Sequence, residues 1–229
     1  MNKVLLINAN NNVAMTIARG LGIQGVPVDG VGWKDGGVGM FSRHLGNKIW
    51  IDNYHQLSGD RLSKIISQTK SKYIMAMGED VLAHLNTLRG ELPPNVKFLF
   101  PKQRILERAF DKAITLQFAE KIGIDCPKTY YITSINDLLL HEVRFPVVLK
   151  FSRSTGFHLP TKLKFAYRYV FNKVELTHVL SQYVPYAVFP LIQEYVPGKG
   201  LGVELCMSNG QIAAAFQHER IHEIGRAHV

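Results

Sequence analysis

The chain has 229 residues, 46% of them hydrophobic and 10% aromatic, which is an ordinary composition for a globular protein with a sizeable core. No apolar run is long enough to span a bilayer, and the apolar segment after Lys3 is too short for a secretory signal. Its two cysteines, Cys126 and Cys206, lack metal-type spacing and suggest no disulfide framework, so a cytoplasmic protein is expected.

The formal net charge of +9 raises the question of nucleic-acid binding. The basic side chains are most concentrated between Lys150 and Val174, a window without Asp or Glu. A compact cationic window suits a polyphosphate better than a duplex-length surface. The charge therefore predicts phosphate binding, with neither nucleic acid nor membrane as a partner.

Strand-length apolar segments alternate with helical segments over the first hundred residues. This alternation predicts an α/β fold with a parallel sheet covered on both faces. Gly22 is expected to end the first helix. The predicted strands cover residues 3–8, 26–31, 48–51, 73–77 and 97–100, and the predicted helices cover residues 13–21, 62–66 and 81–88.

The first strand is followed by the turn Asn8-Ala9-Asn10-Asn11-Asn12, which lacks the GxGxxG dinucleotide fingerprint. Asparagine suits turns and helix caps, and this structural role is favoured over contact with a small substrate. The glycines between Gly30 and Gly39 predict a flexible loop that connects two elements.

A junction is predicted over residues 101–108, followed by a helix over residues 111–122 that Gly123 ends. A strongly apolar strand over residues 145–151 carries Lys150 near its end, and a lysine there needs an anionic partner. Ser208-Asn209-Gly210 predicts a hairpin turn. Further strands are predicted over residues 128–132, 163–171, 189–196, 202–207 and 212–216, with a short helix after Ser134 and another over residues 174–180.

Three segments of this second half, in their order and spacing, resemble the ATP-grasp family of carboxylate–amine and carboxylate–thiol ligases. The resemblance is closest to the carbamoyl-phosphate-synthase-like group and extends over residues 1–223. The three segments are Asp111-Lys112 with GIDCPKT at 123–129, FPVVLK at 145–150, and QEYVPG at 193–198.

The resemblance implies four regions. They are a parallel-sheet pre-ATP-grasp domain over residues 1–105, an ATP-grasp N-terminal lobe over 106–188, the start of an incomplete C-terminal lobe over 189–223, and a non-native tail over 224–229. The tail, IGRAHV, matches what one frame of a widely used sequencing adapter encodes. The chain is therefore expected to be a C-terminally truncated fragment.

The resemblance also implies an ATP site. Lys112 and Lys150 are expected to reach the phosphates, because lysine supplies a compact charge on a long stem. Lys150 is also expected to contact the edge of adenine. The loop after Lys150 is expected to wrap phosphates with hydroxyls and backbone amides. Backbone groups around Glu194 and Val196, with a side-chain acceptor from Gln193 or Glu194, are expected to bind adenine. The implied site residues are Lys112, Lys150, Ser154, Gly156, Gln193, Glu194 and Val196.

The activity implied for the full-length parent is that of a ligase. It would activate a small carboxylate as an acyl phosphate, with ATP and Mg²⁺, for attack by an amine or similar nucleophile. In the family, the metal-binding Glu and Asn lie in a later segment resembling EINPR, which this sequence lacks. No metal ligand or catalytic residue is therefore assigned, and the fragment itself is expected to be inactive. A non-catalytic nucleotide-binding protein is an alternative.

A second alternative is a zinc metallopeptidase, because residues 218–228 fit the pattern HExxHxxGxxH. The pattern requires His218 and His222 on one helix face, with Glu219 activating water and His228 as the third ligand after Gly225. If the preceding strand continues instead, it separates His218 from His222 by about 13 Å, too far for one zinc ion. The ATP site is favoured over the zinc site.

Overall fold

The computed structural model describes residues 2–154 and 158–221, except for the side chain of Leu140. The chain divides into two compact units. Unit 1 comprises residues 1–124 with 151–158, and unit 2 comprises residues 125–150 with 159–229. The domain limits expected after residues 105, 188 and 223 stay predictions.

Unit 1 contains a five-stranded parallel sheet in the order β3-β2-β1-β4-β5. Alternate residues of β1 belong to two different buried clusters, Leu5 and Ile7 to one and Val4 and Leu6 to the other. The sheet is thus covered on both faces, as the alternating pattern predicts. The strands are β1 (Val4–Ile7), β2 (Val28–Trp33), β3 (Leu45–Ile51), β4 (Tyr73–Ala76) and β5 (Lys97–Phe98).

The described part of unit 1 includes five α-helices. Each of the three predicted in the first hundred residues is present, and the helix predicted over residues 111–122 is present as α5. The helices are α1 (Asn12–Ile23), α2 (Gly59–Thr69), α3 (Glu79–Thr87), α4 (Gln103–Phe110) and α5 (Lys112–Lys121). Short 3-10 helices lie at Val38–Phe41, Tyr54–Gln56 and Arg89–Glu91.

Two local predictions for unit 1 are wrong. Helix α1 continues through Gly22, and the left-handed residue that follows its end is Gly25, with φ 72°. Gly30 and Gly32 lie in β2 instead of in a flexible loop. A Cβ atom on Gly30 would lie 2.9 Å from Leu45 Cδ1, so the missing side chain permits close packing. The predicted junction at 101–108 contains helix α4.

Unit 2 contains a four-stranded antiparallel sheet in the order β6-β9-β7-β8 and a two-stranded antiparallel hairpin, β10-β11. Asn209 and Gly210 at the hairpin turn have φ values of 51° and 80°, which confirms the predicted turn. The strands are β6 (Thr129–Tyr130), β7 (Val147–Lys150), β8 (Arg168–Val170), β9 (Leu191–Glu194), β10 (Leu201–Ser208) and β11 (Gln211–Glu219).

The core of unit 2 lies on one face of the four-stranded sheet, where Val147, Leu149, Val170 and Ile192 are all fully buried. Helix α6 (Lys173–Ser181) follows β8, and short 3-10 helices lie at Ile135–Leu140, Thr161–Leu163 and Val184–Tyr186. Across residues 2–154 and 158–221, no helix has the length and apolar character needed to cross a membrane.

Candidate functional site

The second face of the unit 2 sheet borders a cleft of about 310 Å³. Lys150 is the last residue of β7, and Gln193 and Glu194 end the neighbouring strand β9. Val196 follows in the segment that leaves this strand. The cleft is lined by all four, so the structure brings these four predicted residues together.

Backbone pairing keeps the strand ends around the cleft in register. Gln193 lies directly opposite Val148 on β7 and Thr129 on β6. The N–H of Glu194 donates to the carbonyl of Lys128 at 2.8 Å, and the N–H of Tyr195 donates to the carbonyl of Pro146 at 3.2 Å. The backbone N–H of Val196 makes no backbone hydrogen bond within the described part of the chain, and Val196 lines the cleft.

The buried side chain of Gln193, on β9, is hydrogen-bonded to residues of both neighbouring strands, β7 and β6. Its Oε1 accepts a hydrogen bond of 3.0 Å from Lys150 Nζ. Its Nε2 donates at 3.0 Å to Thr129 Oγ1, and that hydroxyl donates at 2.8 Å to the carbonyl of Pro127. The amide is thus held at both ends in the middle of the site.

Three tyrosines that the sequence analysis did not single out form an aromatic wall of the same cleft. The rings of Tyr167 and Tyr169 lie 5.8 Å apart, and those of Tyr169 and Tyr195 lie 5.6 Å apart, both nearly perpendicular. An apolar wall with polar edges suits a flat heteroaromatic ring. The alternation of Tyr167 and Tyr169 within a predicted strand is the signal that places both on one face.

Arg220 also lines the cleft, and it too was missed as a site residue. It follows the end of β11, and its backbone N–H donates to the carbonyl of Gly200 at 2.7 Å. This bond joins the two ends of the hairpin beside the cleft. A guanidinium here supplies a second cation besides Lys150 for an anionic ligand.

The remaining predicted residues are Lys112, Ser154 and Gly156. Lys112 is the first residue of α5, and its backbone N–H donates to the carbonyl of Ser152 at 2.7 Å. Lys112 and Ser154 belong to unit 1, and Gly156 lies outside the described residues. Phosphate binding by these three residues stays a prediction.

Asp111 holds the segment after β7 against the start of α5. Its Oδ1 accepts from the backbone N–H groups of Ala113 at 3.0 Å and Ile114 at 3.3 Å, which caps the helix. Its Oδ2 lies 2.9 Å from Arg153 Nε. Burial raises the pKa of the Asp111 carboxyl, but the hydrogen bonds from Arg153 and the helix backbone outweigh burial, and the pKa lies below its usual value.

Asp111→Ala is expected to destabilise the protein by about 1 kcal/mol through loss of the helix cap. Asp111→Asn keeps an acceptor for the cap and loses only the charge opposite Arg153, so its effect should be smaller. Because the folded-state pKa is lowered, the stability from the charge is present above the unfolded pKa, about 4, and is lost as pH falls through the folded pKa. Urea unfolding from pH 7 to pH 3 should therefore show the wild type converging on Asp111→Asn at low pH, and a pH-independent gap would contradict this account.

The zinc pattern begins in a strand. His218 and Glu219 are the last two residues of β11, and His218 Nδ1 lies 3.1 Å from Glu204 Oε2 on β10. A helix, which the metallopeptidase pattern requires, is thus not formed at these two positions. His222, Gly225 and His228 lie outside the described residues. Within residues 2–154 and 158–221, no group of three or more His, Cys, Asp or Glu side chains is placed to hold a metal ion.

Solved structures of a synthetase, a ligase and a biotin carboxylase domain are similar to the chain. N5-carboxyaminoimidazole synthetase from Staphylococcus aureus matches with a TM-score of 0.69 and 12% identity, over 97% of this chain and 55% of that one. L-amino acid ligase from Bacillus licheniformis matches at 0.65 and 12%, over 93% and 48%. The biotin carboxylase domain of Hydrogenobacter thermophilus 2-oxoglutarate carboxylase, solved with MgADP, matches at 0.64 and 16%, over 90% and 46%.

These similarities show that the chain has the ATP-grasp fold that its motifs predict. The chain spans about half the length of the structures that it matches. No protein-family model matches the sequence, and no curated protein matches it.

Proposed function

We propose that the cleft of unit 2 binds the adenine and α-phosphate of ATP, and that the chain is part of an ATP-dependent carboxylate–amine ligase. The observation that carries the proposal is the convergence of Lys150, Gln193, Glu194 and Val196 on one cleft. These four were expected at an adenine site from sequence motifs alone, and the strand register supports that placement. The fold, which is shared with ligases, supports the same function.

The polar groups of the cleft match the edge of adenine. Adenine presents an amino donor beside a ring-nitrogen acceptor. The Val196 N–H would donate to the ring nitrogen, and an acceptor from Gln193 or from the Glu194 backbone would receive the amino group. Tyr167, Tyr169 and Tyr195 would contact the ring, and their wall excludes water from one side of it.

The charge of the cleft suits the phosphate that follows the nucleoside. Lys150 Nζ lies within hydrogen-bonding distance of Gln193 and borders the open cleft, where it would reach the α-phosphate. Mg²⁺ bound with ATP would supply charge neutralisation for the phosphates. Its Glu and Asn ligands in the family have no counterpart in this sequence, so we propose nucleotide binding without ligase activity for the chain as given.

Titration calorimetry of the purified chain with ATP and with ADP tests the proposal. Lys150→Ala should weaken both nucleotides by roughly tenfold to a hundredfold, because a hydrogen bond to a charged group contributes about 1.5 to 3 kcal/mol. Lys173→Ala is the matched control: it removes a lysine of the same unit that does not line the cleft, and nucleotide affinity should be unchanged.

Circular dichroism and thermal unfolding of both variants establish that they are folded. A wild-type chain that binds neither nucleotide would overturn the proposed function, and so would equal affinities in Lys150→Ala and Lys173→Ala. Stoichiometric zinc retained by the wild type through His218 would instead support the metallopeptidase.

A further inference from the structure

The hydrogen bonds through Gln193 have a fixed direction. The ammonium of Lys150 has only donors, so the atom that it contacts must be the amide oxygen, Oε1. At the other end, the Pro127 carbonyl has only acceptors, so the Thr129 hydroxyl gives its proton to Pro127 and accepts from Gln193 Nε2. The hydrogen bonds at the two ends of the Gln193 amide therefore select the same orientation of that amide.

Lys150 and Thr129, the two residues that hold the Gln193 amide, would respond differently to a bound ligand. Lys150 lines the cleft and is the residue that an α-phosphate would attract, which competes with its bond to Gln193. Thr129 is directly opposite Gln193 in the β6–β9 pair, and its hydroxyl is bonded to the backbone of its own loop. Once nucleotide is bound, Thr129 is the anchor that keeps its partner.

We propose that Thr129 is a positioning residue that makes the site selective for adenine over guanine by holding Gln193 Oε1 toward the ligand. The inference rests on the proposed function. An amide oxygen accepts from the 6-amino group of adenine, whereas it repels the carbonyl oxygen that guanine has at the same ring position. If the amide turned over, Nε2 would donate to that carbonyl, and this mismatch with guanine would be removed.

The burial of Gln193 makes Thr129 necessary. In Thr129→Val, which keeps the shape of the side chain, Nε2 would be a buried donor without an acceptor. The preference for one amide orientation would then depend on Lys150 alone, and it would weaken when Lys150 turns to the phosphate. Thr129→Ser keeps the hydroxyl and with it the orientation.

Calorimetric titration with ADP and with GDP, in the same buffer, tests the inference. The wild type and Thr129→Ser should bind ADP at least tenfold more tightly than GDP. In Thr129→Val the ADP-to-GDP affinity ratio should fall by about threefold or more, with GDP binding more tightly than it does to the wild type. A purely structural role for Thr129 would instead weaken both nucleotides by the same factor.

A second experiment uses Gln193→Glu. A carboxylate accepts from either oxygen, so this side chain has no amide orientation for Thr129 to select. In this background Thr129→Val should leave the ADP-to-GDP ratio unchanged. An unchanged ratio in Thr129→Val alone, with normal ADP binding by the wild type, would overturn this inference and leave the proposed function standing. A wild type that binds neither nucleotide would overturn the proposed function and this inference together.

Discussion

Gly39→Ala is expected to destabilise the folded protein by about 3 kcal/mol, at the upper end of what overpacking costs. A Cβ atom at residue 39 would meet the backbone carbonyl oxygens of Ala9 and Asn11, the latter at 2.6 Å. The β1–α1 turn cannot move away from residue 39, because backbone hydrogen bonds hold both in place. The N–H of Ala9 donates to Val31 O at 2.9 Å, and the N–H of Gly39 donates to Asn10 O at 3.0 Å. The midpoint of urea unfolding, followed by circular dichroism, measures the loss.

Gly20→Ala is the matched control, since the same methyl group is added where nothing lies within 4 Å. Gly20 is exposed within α1, so alanine should stabilise the helix by roughly 0.5 to 1 kcal/mol. The two variants should therefore move the urea midpoint in opposite directions. Equal midpoints for Gly39→Ala and the wild type would show that the segment after β2 does not pack on the β1–α1 turn.

The β1–α1 turn shows which structural roles can be predicted from sequence. The asparagines were expected to serve the turn and the helix cap, and both roles are confirmed: Asn11 caps α1, and Asn10 bonds to the N–H and C=O of Trp33. The Asn11 cap joins a short side chain to the backbone three residues on, which is a property of the residue type, whereas the Asn10 bonds reach a strand 23 residues away. The packing of Gly37 and Gly39 on this turn was missed, because glycine permits a flexible loop and a close backbone contact equally.

The candidate site likewise contains residues that could be predicted from the local sequence and residues that could not. Lys150 was predicted because a lysine at the end of an apolar strand is an anomaly that the local sequence displays. Thr129, Tyr167 and Tyr169 are ordinary strand residues. They become part of the site only through the order β6-β9-β7-β8, which brings together segments more than sixty residues apart. The local sequence does not contain that register, so the network around Gln193 could not be predicted.

An ion pair between a buried carboxylate on β2 and a partly exposed lysine lies in unit 1 and was not predicted either. Asp29 on β2 is fully buried, and its Oδ2 lies 2.7 Å from Lys3 Nζ. The register of β2 against β3 shifts between Val28 and Gly30, and Asp29 Oδ1 accepts the N–H of Asn47 there at 2.7 Å. The carboxylate thus satisfies a backbone donor at the irregular point of the ladder as well as pairing with Lys3.

Lys3→Met should destabilise the protein by about 3 kcal/mol, because it leaves the Asp29 charge buried without its cation. Lys3→Met with Asp29→Asn should recover much of this loss, since asparagine still accepts from Asn47 and has no charge to bury. Lys34→Met removes a lysine from the exposed pair with Asp52 and should leave the urea midpoint unchanged. If Lys3→Met and Lys34→Met unfold at the same urea concentration, the Asp29 carboxylate does not depend on Lys3, and its hydrogen bonds from Asn47 are enough to keep it buried.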